Sequence, residues 1–337
     1  MRRIIVIALF FVFGAGLAGG TYRLQNLYSG SYDNPCHLSS NSLWVCITDI
    51  YSLNCWELRE SSQMVSICEA ALPENIWGVQ SAVTVPGDPV NMPDIWLASN
   101  DGLLIYSGQK WKRYGEILPD YMKAGGNGEI WLIANGTLLK YDGKFKQMVS
   151  DMEWQAQAFG ASCLQIDRKG FPWIGVMGPG IVRFNGTELD SGLGVPTGPP
   201  SDEPGQDDAA PQFICFDADN NPWVDYPMGV ACWNNGTWVE HDLTQYGFEW
   251  GVSHLAADDQ GIIWVSDGGQ SVLCFDGDGW YKPEILGGNP PNDDWWIAQM
   301  IAGPDDSMLF LLASESPAYI EAYVCQPVEK LHAEPKQ

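Results

Sequence analysis

Short apolar runs, each cut off by Gly, Asn, Asp or Pro, follow one another along nearly the whole chain, and no window keeps the three-to-four-residue spacing of an amphipathic helix. Runs of this kind read as strands. Within the pattern one unit recurs: a polar turn, an apolar pair, a tryptophan, then more apolar residues. Its copies are NSLWVCI ending at Ile47, PDIWLAS at Ser99, GEIWLIA at Ala134, GFPWIGV at Val176, NNPWVDY at Tyr226 and GIIWVSD at Asp267. A seventh, SMLFLLA ending at Ala313, carries Phe310 in the tryptophan slot. The aromatic positions 44, 96, 131, 173, 223, 264 and 310 stand 35 to 52 residues apart. That is the length of a four-stranded propeller blade.

The sixth copy shows the grammar of one blade. Ser253 to Ala257, Ile262 to Ser266, Ser271 to Phe275 and Trp280-Tyr281 are predicted strands, separated by Asp258–Gly261, Asp267–Gly269 and Asp276–Gly279. The third turn recurs as Ser107-Gly108, Asp142-Gly143, Asn185-Gly186 and Asn235-Gly236, residues that accept the positive φ of tight hairpins. The expected fold is all-β: a seven-bladed β-propeller of four-stranded antiparallel blades over residues 21–326, followed by a polar tail, 327–337. The last copy has three strands, ending with Tyr319 to Cys325. An unpaired edge invites aggregation, so the N-terminal segment Tyr22 to Tyr28 is predicted to supply the fourth.

Composition adds a location and excludes partners. Arg2 and Arg3 precede an apolar run from Ile4 to Leu17 with small residues after it, the form of a secretory signal peptide over residues 1–20. The run is shorter than the ~20 residues of a spanning helix, so the chain is expected to be secreted or periplasmic, with an uncleaved N-terminal anchor as the alternative. No later segment is apolar enough to span a membrane. A net charge of −25 argues against a nucleic-acid partner, because phosphate contacts need clustered Lys and Arg. Nine cysteines are present, and an exported chain permits disulfides. Cys36, Cys46, Cys55 and Cys68 are close enough in sequence for two local bridges of open connectivity. Cys325 with Cys36 would close the ring. The odd total leaves at least one thiol free or intermolecular.

The copies resemble the two-component-regulator propeller repeat: an Asp, a Gly three before the Trp, then Gly-Leu-x-Arg-Tyr or Phe, then Asp or Asn-Gly. Asp167, Gly170, Trp173, Gly180, Ile181, Arg183, Phe184, Asn185 and Gly186 carry the likeness best, and the fifth and sixth copies place Cys232 and Cys274 in the arginine slot. The resemblance implies a propeller, and it implies ligand sensing, since such propellers form the periplasmic sensory part of histidine kinases.

A second tryptophan set falls on the connections between blades, each preceded by acid: Glu74 near Trp77, Glu153-Trp154, Glu249-Trp250 and Asp293-Asp294-Trp295-Trp296. Carboxylates beside indoles suit a sugar or an organic cation at one mouth of the central channel; the bland reading packs these indoles between blades. His254, with His241, is the candidate for acid–base or metal chemistry, against the ordinary reading of surface histidines. Streptogramin lyases are also propellers and use a histidine with a metal, but no stretch here aligns with their motif. No cofactor is expected. Calcium is the one metal that Asp217–Asn221 would suit, and the competing reading is a plain turn. The same two readings apply to Asp276–Gly279. Asn135, Asn185 and Asn235 head sequons that are also ideal hairpin turns. The Pro- and Gly-rich loop from Ser191 to Pro211 is expected to be a surface insertion. Together these features favour a binding module for a small molecule, glycan or protein. A metal-assisted lyase or hydrolase and an envelope scaffold are the alternatives.

Overall fold

The computed structural model describes residues 21–30, 37–40, 44–48, 52–59, 63–74, 76, 79–85, 92–115, 117–149, 160–176, 180–190, 193, 210–249, 251–286, 295–304, 306–315 and 318–327. These form seven sheets, six of four strands and one of five. β1 is Thr21–Gly30. Blade 1 holds β2 (His37–Ser40), β3 (Trp44–Thr48), β4 (Ser52–Arg59) and β5 (Gln63–Ala71). Blade 2 holds β6 (Val79–Thr84), β7 (Ile95–Ser99), β8 (Gly102–Ser107) and β9 (Lys110–Arg113). Blade 3 holds β10 (Tyr121–Ala124), β11 (Ile130–Ala134), β12 (Thr137–Tyr141) and β13 (Phe145–Val149). Blade 4 holds β14 (Ala161–Ile166), β15 (Pro172–Val176), β16 (Gly180–Phe184) and β17 (Leu189–Asp190). Blade 5 holds β18 (Ile214–Phe216), β19 (Pro222–Tyr226), β20 (Gly229–Asn234) and β21 (Thr237–Asp242). Blade 6 holds β22 (His254–Ala257), β23 (Ile263–Ser266), β24 (Val272–Phe275) and β25 (Trp280–Tyr281), followed by β26 (Glu284–Leu286). Blade 7 is built on β27 (Trp295–Ala302), β28 (Met308–Glu315) and β29 (Ala318–Pro327).

The first strand of each blade touches the first strand of the next, β2 to β6 and so on to β27, and β27 returns to β2. The ring is therefore closed, with these seven strands around its axis. The N-terminal strand completes blade 7 as expected: β1 runs antiparallel to β29, with Leu24 opposite Cys325. One feature escaped the sequence reading. β26 adds a fifth strand, parallel to β1, so the outer edge of blade 7 is covered by the chain leaving blade 6. Cys325 is fully buried as a reduced thiol in the core between blades 6 and 7. Cys36 lies outside the described residues, as do the predicted leader, 1–20, and most of the predicted tail, 327–337.

Five of the tryptophan-bearing strands bury their indoles against the neighbouring blade. Trp96, Trp131, Trp173, Trp223 and Trp264 are each 6 % exposed or less, and the aliphatic positions beside them fill the seams. In blades 4, 5 and 6 an aspartate six residues earlier orients the indole. Trp173, Trp223 and Trp264 donate through Nε1 to Oδ2 of Asp167, Asp217 and Asp258, at 3.0, 3.2 and 3.2 Å. The other carboxylate oxygen closes the turn by accepting backbone N–H groups, such as those of Lys169 and Phe171 on Asp167. Asp217 uses its oxygens in the same way, so Asp217–Asn221 is built as a turn. The turn of Asp276 is made by its carboxylate accepting the N–H groups of Asp278 and Gly279. Asn135-Gly136 and Asn235-Gly236 have positive φ at both residues, the backbone of a tight hairpin turn. Among the described residues no helix is long and apolar enough to cross a membrane.

Candidate functional site

The two faces of the ring differ. On the lower face, where each innermost strand turns into the tryptophan strand, neighbouring turns are tied together. The Arg168 backbone N–H donates to Asn220 Oδ1 at 2.7 Å, and its guanidinium donates to the Asp258 and Asp259 carbonyls of blade 6. Gln260 Nε2 donates to Asp306 Oδ2 at 2.6 Å, linking blade 6 to blade 7. Gly261, at φ +85°, lies so close to blade 5 that a Cβ would sit 2.1 Å from the Ala218 nitrogen. This lacing of blades 4 to 7 directs attention to the upper face, where the innermost strands begin.

There, Asp225 sits under the start of blade 5 and accepts the N–H groups of Gln212 and Phe213 at 2.9 and 2.8 Å. Burial outweighs these bonds and pushes its carboxyl up to about 6. Ser162 Oγ and Cys163 Sγ of β14 both donate to the Pro211 carbonyl, joining blades 4 and 5. Burial, and then the charge of Asp225, raises the Cys163 thiol to about 12, so it stays protonated. On β10, opposite Trp131 and so nearer the lower turn, stands Lys123, within electrostatic reach of Cys163. Its side chain is open to solvent, yet enclosing protein desolvates the ammonium and lowers its pKa, while Cys163 acts in the opposite sense. Tyr121, two residues earlier on the same side of β10, is raised by burial and by its neighbours Cys163 and Asp120. Tyr121, Lys123, Cys163 and Asp225 thus share one electrostatic neighbourhood over blades 3, 4 and 5. Among the described residues no carboxylate forms an ion pair with Lys123.

His254 begins β22 on the same face. Its Nε2 lies 3.2 Å from the Ala298 carbonyl, which can only accept, so Nε2 carries the proton. Nδ1 then accepts from Ser266 Oγ at 3.0 Å. Both ring nitrogens are engaged, the ring packs 5.9 Å from Phe213, and burial lowers its pKa. The neutral imidazole pins blade 6 to blade 7. His241 lies elsewhere, on the outermost strand β21. It stacks on Trp223 at 4.9 Å and accepts the Trp280 indole N–H at 3.2 Å. The two histidines therefore form no pair. No group of three or more His, Cys, Asp or Glu is placed to hold a metal among the described residues.

Of the predicted rim, Trp77, Glu153, Trp154, Trp250 and Asp294 lie outside the described residues. Glu249 is exposed, directly after the fully buried Phe248. Trp295 and Trp296 begin β27, half-buried on opposite sides of it: Trp295 packs against the core between blades 6 and 7, Trp296 against the core between blades 7 and 1. Gln270 donates to the Trp295 carbonyl at 3.1 Å, bringing a blade 6 loop over that strand. Of these predicted residues, the structure brings His254 and Trp295 to the seam between blades 6 and 7 on the upper face, with Trp296 turned to the next seam. Lys123, Cys163 and Asp225 were not predicted. They do not repeat from blade to blade, and the fold alone brings them together.

No known family profile matches the chain, and no curated protein matches it in sequence. Solved propellers match it in shape. A catalytically inactive histidine-to-alanine variant of virginiamycin B lyase from Staphylococcus aureus, with quinupristin, is similar at TM-score 0.63 and 14 % identity, over 91 % of this chain and 100 % of that one. A streptogramin B lyase is similar at 0.62 and 16 %, over 90 % and 98 %. YCF48 bound to a D1 peptide is similar at 0.62 and 15 %, over 95 % and 99 %. At these identities the likeness shows the fold: the chain is a seven-bladed β-propeller.

Proposed function

We propose that the chain is an exported, ligand-binding member of the sensory propellers, and that it recognises a peptide or small molecule through an anionic group placed in its central channel. The observation that carries this reading is Lys123. Lys123 is exposed, its surroundings lower its pKa, and no described carboxylate pairs with it, so a negative ligand group would offset the desolvation of its charge. Tyr121 beside it offers a hydroxyl and an aromatic face. The inter-blade tryptophans 154, 250 and 296 are proposed to line the approach. The peptide-bound propeller among the structural neighbours is consistent with such use of the fold. A lyase reading would draw on His254 as a base, but that imidazole has already committed both nitrogens to the wall.

The test is a panel of short peptides presented with either a free C-terminal carboxylate or an amide. Binding is expected to favour the carboxylate form by about tenfold, the scale of one charge-assisted contact. Equal binding of both forms would remove the anionic-group assignment. Unchanged binding after joint substitution of Trp154, Trp250 and Trp296 would remove the tryptophans from the approach.

A further inference from the structure

Blade 1 holds a line of thiols that the binding reading does not use. Cys46 on β3 pairs with Cys55 on β4, and Cys55 pairs with Cys68 on β5. Directly paired residues of antiparallel strands have Cα atoms ~4.5–5.5 Å apart, within the range a disulfide spans. Both neighbours of Cys55 are thus within bridging reach. The Cys46 thiol donates to Cys55 Sγ at 2.9 Å. Cys55 in turn hydrogen-bonds to Cys68, and the Tyr106 hydroxyl of blade 2 lies 3.4 Å from Cys68 Sγ. The line runs from inside to outside. Cys46 and Cys55 are fully buried in the core between blades 1 and 2, while Cys68 is half-exposed on the outermost strand.

We propose that Cys68, Cys55 and Cys46 form a thiol–disulfide exchange relay, in which Cys68 accepts oxidation from an external disulfide and passes it inward to a Cys46–Cys55 bridge. The Cys68 thiolate attacks one sulfur of a disulfide RSSR; the Cys68–SR bond forms, the old S–S bond breaks and RS⁻ leaves, taking the Cys55 proton. Cys55 then attacks Cys68 Sγ, forming Cys55–Cys68 and releasing the second RS⁻, which takes the proton of Cys46. Cys46 finally attacks Cys55 Sγ, and Cys68 leaves as a thiolate. In sum two protein thiols are oxidised, RSSR is reduced to two RSH, and Cys68 is regenerated.

The chemistry of the row gives this order its direction. Hydrogen bonds from Cys55 and then Tyr106 stabilise the Cys68 thiolate and lower its pKa to about 6, against burial and the adjacent Glu69. Burial raises the Cys55 pKa. Attack requires a thiolate and access, and the lower-pKa sulfur is the better leaving group. Cys68 is therefore both the point of attack and the group expelled at the end. The other described cysteines, 163, 215, 232, 274 and 325, are buried and have raised pKa values, so they serve as internal controls.

The purified, reduced protein is incubated with oxidised glutathione, quenched by alkylation at successive times and mapped by peptide mass spectrometry. Glutathione on Cys68 is expected first, then a Cys46–Cys55 bridge with Cys68 again alkylatable. Cys68→Ser should slow that bridge at least about tenfold. Cys55→Ala should halt the sequence with glutathione on Cys68. A Cys46–Cys55 bridge that precedes the Cys68 adduct would overturn the proposal, as would an unslowed Cys68→Ser protein, a bridge from Cys68 to Cys36, or no bridge within the row. Should either variant melt early, the order of events in the unsubstituted protein decides alone.

Discussion

Blades 3 and 4 solve the same packing problem with different residues. In blade 4, Asp167 is fully buried at its side chain; it accepts the Trp173 indole and two backbone N–H groups and lies 3.5 Å from Arg183, whose guanidinium covers the Trp173 ring. Blade 3 has Gly125 at the aspartate position. A Cβ there would lie 2.7 Å from the Glu129 carboxyl, because Glu129 folds back into the vacated space and meets Lys140 at 3.8 Å. Lys140 covers Trp131 as Arg183 covers Trp173. The ion pair and the cation over the ring are rebuilt, but the indole bond is not: Trp131 Nε1 is buried without a partner. Blade 7 avoids the problem, since Pro304 stands in the aspartate position and Phe310 has no N–H to satisfy. The repeated residues thus serve a repeated structural task, and chemistry is to be sought where the repeat is broken by residues that do not recur, as at Lys123 and in the cysteine row.

The comparison can be broken most strongly at Asp167. Asp167→Ala leaves an indole, two backbone N–H groups and a guanidinium without their acceptor, and should cost ~3 kcal/mol by denaturant unfolding. A loss under about 1 kcal/mol would show that the anchor is dispensable. Next come the tryptophans. Trp264→Phe removes the indole bond to the buried Asp258 and should cost roughly 2 kcal/mol, whereas Trp131→Phe deletes an unsatisfied N–H and should cost less. Equal losses would contradict the distinction between anchored and unanchored blades.

A pH series sharpens it further. Burial, above all, raises the Asp258 carboxyl from 3.8 to about 6, despite the bonds from Trp264 and Ile262. The folded state therefore holds this proton more tightly than the unfolded chain. Its stabilising effect is complete below about pH 4 and is lost as pH rises through 6. The stability of the parent relative to Asp258→Asn should fall between pH 4 and 6, by at most ~1.4 kcal/mol per pH unit. The two histidines have lowered pKa values and act in the opposite direction, losing stability as pH falls below their ordinary 6.5. Both proteins contain them, so the difference isolates Asp258. The smallest change is expected at Tyr106→Phe, which removes one donor to Cys68 and should move the midpoint of its alkylation rate upward from near pH 6.

Much of this fold was legible because a propeller repeats its turn chemistry and its indole, and because a missing fourth strand in blade 7 demanded a partner. The strand β26 was not legible: three residues pairing in parallel with the N-terminus leave no periodic trace. The upper mouth was half-legible. Trp295 and Trp296 fall at the end of β27 facing that mouth, but their rings reach the two adjoining cores. Lys123 gave no signal because Cys163 and Asp225 are distant in sequence and only the ring brings them near. The cysteines drew attention by number, yet their alignment depends on strand register and on a bulge between Cys55 and Trp56.

The central claim is that function resides in the unrepeated residues along the inner wall of the ring. Its most direct measurement is the binding isotherm of Lys123→Met for the tightest carboxylate-bearing peptide of the panel, set beside its melting temperature. Affinity is expected to fall about tenfold, to the level of the amidated peptide, with melting unchanged. Undiminished affinity for the carboxylate form, in a variant that melts like the parent, would contradict the account.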